Sequence, residues 1–322
     1  MMSLHLFGAI LTPEGVAANN RGESDGNITT LQKLLWKGQV HTTVSSEAIR
    51  WAIRYLWQKK NIPVNRVWDD AQENFAWNDT VRAVWNPEYE EKGVLASYID
   101  DDVMGFMIAE GAKVDASDVE EEAEVGKKAV NKSKKKSKGT CTKRRGVLEI
   151  SRAISLSPFA GDISFNAKSG VKGKTSLYGT EMHATRFQYG FSLTPERLHV
   201  TRRVFDTLDA IVSLGEVAGN HSRFLYDFAP DSVIYRITED PAPRLLYVFE
   251  LERSGEIRVP DLLRRIEAGD VAPAELFVGG PVAKTLEKYG ASGMNVFSGV
   301  KEANTALKKA LGNVLDIEAT DL

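Results

Sequence analysis

The amino-acid sequence predicts an α+β fold on a βαββαβ core, and three observations predict it. Short apolar runs at Leu4–Leu11, Val147–Leu156 and Met182–Leu193 read as strands. Amphipathic spacing near residues 45–56 and 204–215 reads as helix. Their order is strand, helix, strand, strand, helix, with further strand-like runs behind. The remaining residues form polar insertions between these elements.

The first run is short, almost wholly apolar and without a basic leader, so it reads as a buried strand rather than a signal peptide. A polar stretch, Thr12 to Thr30, follows. Its length exceeds ordinary connections, which points to function or disorder. The first helix has a clear start: Ser45 or Ser46 can accept a backbone N–H from the first turn. Ile49, Ala52, Ile53 and Leu56 then fall on one face, and Arg50 and Arg54 share another. Pro63 marks its end region.

Residues 68–112 are a packed insertion with Trp68, Trp77 and Trp85 among acidic and amide residues. Asp100, Asp101 and Asp102 within it are expected on solvent, since consecutive carboxylates point in different directions. An acidic stretch, Asp115 to Glu124, and a basic one, Lys127 to Arg145, come next. So polar a block reads as a disordered surface loop. Ser157 to Glu181, rich in Gly and Lys, is a protruding hairpin or loop. The second helix runs from Val204 to Gly215, with Leu208, Ile211 and Val212 on its apolar side. Strand-like runs cover Arg223–Tyr235 and Arg244–Leu251, and helical patterns cover Val259–Ala268, Gly280–Tyr289 and Leu307–Leu315. This order is that of a ferredoxin-like, or RRM-like, topology.

The 322 residues are 43% hydrophobic and 26% charged, which excludes collagen-like and wholly disordered chains. One cysteine, Cys141, excludes an internal disulfide and fits a reducing compartment. With no run of about eighteen apolar residues, no membrane span and a cytoplasmic location are expected. The five histidines show no metal spacing, and no phosphate-loop or nucleophile-elbow pattern is present, so neither cofactor nor metal is expected.

Ser45, Ser46, Arg50 and Arg54 at a helix start suit phosphate, since free N–H groups and the helix dipole favour anions. An ordinary capped helix with solvated arginines is the competing reading. In sequence order, Asn19-Asn20-Arg21-Gly22-Glu23, Gly26-Asn27, Thr30-Leu31-Gln32-Lys33, the Ser45 to Arg54 helix start, Ser157-Pro158-Phe159, Leu177-Tyr178-Gly179-Thr180-Glu181-Met182 and Gly219-Asn220-His221-Ser222-Arg223 resemble the crRNA-binding backbone subunit of CRISPR type I Cascade. The branch is the DevR-like one of subtype I-B, of the RAMP family. The resemblance covers about residues 1–60 and 145–255.

The resemblance implies an RRM-like palm with an inserted finger region and a protruding thumb hairpin. The palm would take residues 1–67, 141–156 and 183–322, the finger insertion 68–140 and the thumb 157–182. Phosphate would be held by Asn20, Arg21, Ser45, Ser46, Arg50 and Arg54, and Asn27 and Arg152 would also bind the RNA. Phe159, Phe165 or Met182 would wedge against bases, and Lys168, Lys172 and Lys174 would face phosphate. Asn220, His221 and Arg223 would line the RNA groove. The implied partners are crRNA, target DNA, further copies of the chain along the guide and other Cascade subunits, with a nuclease-helicase or transposition proteins beyond them. A guide scaffold must hold any spacer by its backbone and leave base edges free, so no catalysis is expected. The rival is a metal-dependent target-RNA endonuclease of the type III kind, with Asp25 as its carboxylate.

Overall fold

The computed structural model describes residues 3–18, 24–78, 97–109, 141–167, 177–219, 221 and 223–317. Asn20, Arg21, Lys168, Lys172, Lys174 and Asn220 lie outside the described residues, as do most of the finger insertion, the acidic stretch and the basic one up to residue 140. The end of the basic stretch, Cys141–Arg145, is a strand and not the disordered loop expected there, because it pairs with Gly105–Ala109.

Six elements form the centre: β1 (His5–Leu11), α1 (Ser46–Lys59), β2 (Ala153–Ser155), β3 (Phe187–Leu193), α2 (Arg203–Val212) and β4 (Ser232–Thr238). In the sheet the strands lie in the order β4-β1-β3-β2, each neighbouring pair antiparallel. The hairpin Lys33–Trp36/Gln39–Val44 extends one edge beyond β2. Leu276–Gly279 and Asn295–Phe297 extend the other beyond β4.

The apolar run of β1 follows from burial on both faces. Leu6 and Ile10 enter one core with Ile49, Ile53 and Trp57 of α1, Leu208 and Ile211 of α2, and Leu307 and Leu311 of the helix Val300–Leu315. Phe7, Ala9 and Leu11 enter a second core with Leu245, Phe249, Leu262, Ile266 and Leu286. Gly8 faces Phe191 across the ladder, and a Cβ at Gly8 would run into that ring. Trp57 also donates its indole N–H to the Asp206 carbonyl at 3.2 Å, fastening α1 to α2.

Several sequence expectations are redrawn. The Met182–Leu193 run is two strands. His183–Thr185 pairs with Gly15–Ala17, whereas β3 begins at Phe187. Between them Arg186 leaves the ladder to pair with Asp231 at 2.7 Å. The Val147–Leu156 run is also broken, into Glu149–Ile150 and β2. There the Ser151 hydroxyl accepts the Gly190 N–H. Of the run from Arg223 to Tyr235 only the end is strand, because Tyr226 and Phe228 serve the core from a loop. Residues 244–251 yield only the short strand Glu250–Leu251. The helices near the C-terminus are Pro260–Glu267, Ala283–Leu286 and Val300–Leu315.

The aspartate run reverses its expectation. Asp100, Asp101 and Asp102 lie on the short helix Ile99–Met104 and are completely buried. They do point three ways, and each direction ends on donors. Asp100 accepts from the Asn65 N–H at 2.7 Å, from Arg54 Nε at 3.1 Å and from Arg66 Nε at 3.4 Å. Asp101 accepts from the Asn65 amide at 2.7 Å. Asp102 accepts from the backbone N–H groups of His199 and Val200 at 2.8 and 3.0 Å, from Arg203 at 2.8 Å and from Arg144 at 3.0 Å. The result is an ion cluster linking α1, α2, the start of the Arg66–Asp69 strand and the ladder of Gly105–Ala109 with Cys141–Arg145. Among the described residues no helix is long and apolar enough to cross a membrane.

Candidate nucleic-acid interface

The start of α1 is built as expected but already holds an anion. The Ser45 side chain accepts the Ala48 N–H at 3.2 Å, which caps the helix. Glu47 sits in the first turn, its carboxyl held below its ordinary value first by its own backbone N–H and then by the Ser46 and Ser45 hydroxyls. A resident carboxylate thus compensates the helix dipole, so a phosphate drawn to Ser45 and Ser46 would meet like charge.

Arg50 and Arg54 face inward, not outward. Arg50 donates to the carbonyls of Leu148, at 2.9 Å, and Met104. Arg54 is only 7% exposed and paired with Asp100. Burial, then the neighbouring Arg66 cation, pulls its guanidinium down to about 10. Spacing put both arginines on one face correctly. That face meets the buried aspartates, which the sequence reading had placed on solvent.

Arg152 is available where Arg50 and Arg54 are not. It stands exposed beside β2, with Nη1 at 3.3 Å from Thr43 Oγ1 and 3.4 Å from Gln32 Oε1. Both oxygens are neutral, and among the described residues no carboxylate lies within ion-pair distance of it. It lines a concave groove of about 390 Å³ with Leu31, Gln32, Lys33, Leu34 and Thr43. Lys33 bonds to Glu181 at 2.5 Å and lies 4.7 Å over the Phe159 ring. In the sequence Gln32 and Lys33 carry no signal beyond the Thr30-Leu31-Gln32-Lys33 motif. Lys37-Gly38, a two-residue turn between apolar runs, was the signal that would have placed them on a hairpin.

The 157–182 segment contains an antiparallel ladder, Ile163–Ala167 with Leu177–Glu181, and the Asn27 carbonyl accepts the Gly179 N–H at its middle, at 2.9 Å. Of the three wedge candidates, Phe165 is 75% exposed at the middle of this ladder. Phe159 is packed at its foot, edge-on to His183 at 5.5 Å. Met182 is half-buried, its N–H given to the Asp162 carbonyl. Arg223 is exposed and lies 5.1 Å over the Tyr178 ring, also on this ladder. His221 stands apart, against the far flank of α1. Asp25 is exposed on a two-residue strand, and among the described residues no three His, Cys, Asp or Glu side chains gather to hold a metal.

His183 ties the foot of the ladder to the central sheet. Its Nε2–H donates to the Pro158 carbonyl at 3.2 Å, so Nδ1 accepts the Thr42 hydroxyl at 2.7 Å. Burial lowers the His183 pKa. Below the ordinary value of about 6.5 the unfolded chain binds a proton that the folded chain resists, so stability falls with pH there. The variant His183→Gln is expected to lose that part of the acid sensitivity. Urea midpoints about one unit above and below that pH would show it, and an unchanged pH dependence would clear His183 of the role.

Comparison with known proteins agrees with this geometry. Residues 14–203, more than half of the chain, match the family model described as CRISPR-associated negative auto-regulator DevR/Csa2. A protein of Myxococcus xanthus (strain DK1622), described as CRISPR-associated protein Cas7/Cst2/DevR, is 47% identical over 322 residues, covering 96% of this chain and 98% of that protein. Two solved chains from CRISPR RNA-guided surveillance complexes, one in a pre-nicking state, share the fold. One has a TM-score of 0.57 at 12% identity, covering 95% of this chain and 99% of its own. The other has 0.55 at 14%, covering 96% and 100%. With its order of motifs, its ladder beside a basic groove and a relative this similar along its whole length, the chain belongs to the Cas7/Cst2/DevR family of CRISPR-associated proteins.

Proposed function

We propose that this chain is the guide-RNA-binding backbone subunit of a type I-B-like Cascade, polymerising along the crRNA spacer and presenting it to target DNA. The single observation behind this is Arg152, an exposed guanidinium with no carboxylate within ion-pair distance among the described residues, above a groove at the foot of a ladder that exposes Phe165. The β4-β1-β3-β2 sheet with α1 and α2 serves as the RRM-like palm, 68–140 as the finger insertion and 157–182 as the thumb. Arg152, with Lys33 once released from Glu181, grips phosphate without reading sequence. Phe165 stacks on whatever base it meets. Copies of the chain and other Cascade subunits are the protein partners, and a nuclease-helicase or transposition proteins act after target pairing. The chain binds and does not cut, in the cytoplasm and without a cofactor.

The test is co-expression with a repeat–spacer RNA and mass photometry of the purified particles. Masses that fall in steps as the spacer is shortened are the expected result. A monomer that protects no RNA would end the proposal. Asp25→Ala is expected to leave both particle mass and RNA length unchanged, whereas loss of an RNA cut in that variant would favour the endonuclease reading.

A further inference from the structure

The groove at Arg152, about 390 Å³, takes its walls from separate stretches of chain. Arg152 stands between Glu149–Ile150 and β2, where the pairing with β3 lapses. Leu31, Gln32, Lys33 and Leu34 lead into the edge strand Lys33–Trp36. One side chain touches both stretches. The Tyr247 hydroxyl donates to the Arg152 carbonyl at 2.9 Å, and its ring centre lies 5.1 Å from that of Trp36. Three residues further on, Glu250 accepts from Lys37, at the turn of the same edge hairpin, at 2.9 Å.

Tyr247 is an unusual occupant of its place. It is the second residue of the turn Leu246-Tyr247, with a φ of 55°. That left-handed region suits glycine or asparagine, and a bulky side chain is strained there. The neighbours of Tyr247 hold it in this conformation. Leu245, Val248 and Phe249 are buried on either side of it. The Phe249 N–H and carbonyl both bond to the Gln188 side-chain amide, at 3.2 and 3.1 Å. Gln188 lies on β3, opposite Ile154 of β2. Glycine would close such a turn without strain, so what tyrosine adds is its side chain: a hydroxyl on Arg152 and a ring on the hairpin. Backbone strain persists where the surroundings over-determine a residue, and it gathers at functional sites.

The carbonyl that Tyr247 holds belongs to the residue whose guanidinium makes only long contacts, 3.3 and 3.4 Å, to neutral oxygens. Those contacts aim the side chain weakly, so its direction depends on its own peptide. Turning that peptide would swing the guanidinium at the end of a long, flexible stem. We propose that Tyr247 is a positioning residue: its hydroxyl fixes the Arg152 peptide and so aims the guanidinium into the groove. This rests on the reading of Arg152 as a phosphate contact and names what orients it. A group aimed beforehand binds more tightly because it loses less freedom on binding.

A double-mutant cycle on the full chain tests this, with filter binding of a spacer-length RNA as the readout. Tyr247→Phe removes only the hydroxyl and keeps the turn and the ring on Trp36, so the urea midpoint is expected to match the parent. RNA binding is expected to weaken about fivefold, the equivalent of one hydrogen bond. In an Arg152→Ala background the same substitution is expected to change nothing further, because the side chain that Tyr247 aims is gone. A merely structural role would weaken binding equally in both backgrounds, and that result overturns the proposal. So does parental RNA binding by Tyr247→Phe, since the Arg152 peptide would then be held without the hydroxyl. Parental binding by Arg152→Ala would overturn the phosphate reading of Arg152 together with the role of Tyr247, which sets that failure apart from the other two.

Discussion

Asp102→Ala is expected to be the most damaging single substitution on stability, at about 3–5 kcal/mol. Asp102 is completely buried and accepts from two backbone N–H groups and two arginines. Alanine would take the Asp102 carboxylate from the buried Arg203 cation and the acceptor from two N–H groups at once, and breaking a buried ion pair costs more than the pair contributed. The loss is close to the whole stability of many domains. Chemical denaturation of the purified variant, or its failure to accumulate as soluble protein, checks this. A midpoint within the error of the parent would mean that solvent reaches the cluster. Asp102→Asn should be intermediate, since an amide oxygen can still accept one N–H.

Arg152→Ala is expected to have the largest effect on guide binding while leaving the fold intact. Its guanidinium makes only long contacts to neutral groups, so little folding energy depends on it. A charge-assisted hydrogen bond to phosphate is worth about 1.5–3 kcal/mol. Every copy along a guide would lose the same contact, so the loss compounds through the assembly. Filter binding of a spacer-length RNA against salt is the measurement. The slope of log K against log salt should shrink by about 0.7 for each copy bound, as one phosphate contact per copy disappears. An unchanged slope would remove Arg152 from the RNA path. Arg50 and Arg54, which the sequence nominated, are poor probes, because replacing them strips partners from the aspartate cluster or the backbone beside it.

The central fold was legible because its signals are local. The run at β1, the serine cap and apolar face of α1, and the face of α2 each reflect a period that burial imposes within a few residues. The strand breaks at Ser151 and Arg186 were not legible, since a side-chain bond to a distant strand creates each of them. At the start of α1 the cap and the shared face of Arg50 and Arg54 were legible, and the partners that occupy them were not. Ser45 does cap α1, but Glu47 two positions later neutralises the helix end. Asp100 to Asp102 looked like solvated charge because their partners come from four distant stretches of chain.

The ladder of Gly105–Ala109 with Cys141–Arg145 has a consequence for how the chain can vary. Ala109 and Cys141 are paired, and the aspartate cluster holds the near ends of both strands to the helices. Whatever joins these two residues leaves and returns through one closed gate. Lengthening such an excursion costs only the entropy of closing a longer loop, about 0.6 kcal/mol for each doubling. The Ala109–Cys141 pair therefore fixes where the chain leaves and re-enters the fold, whatever the length between them. A change of length between these two residues is thus expected to leave the ladder's register, and the helices it is tied to, in place.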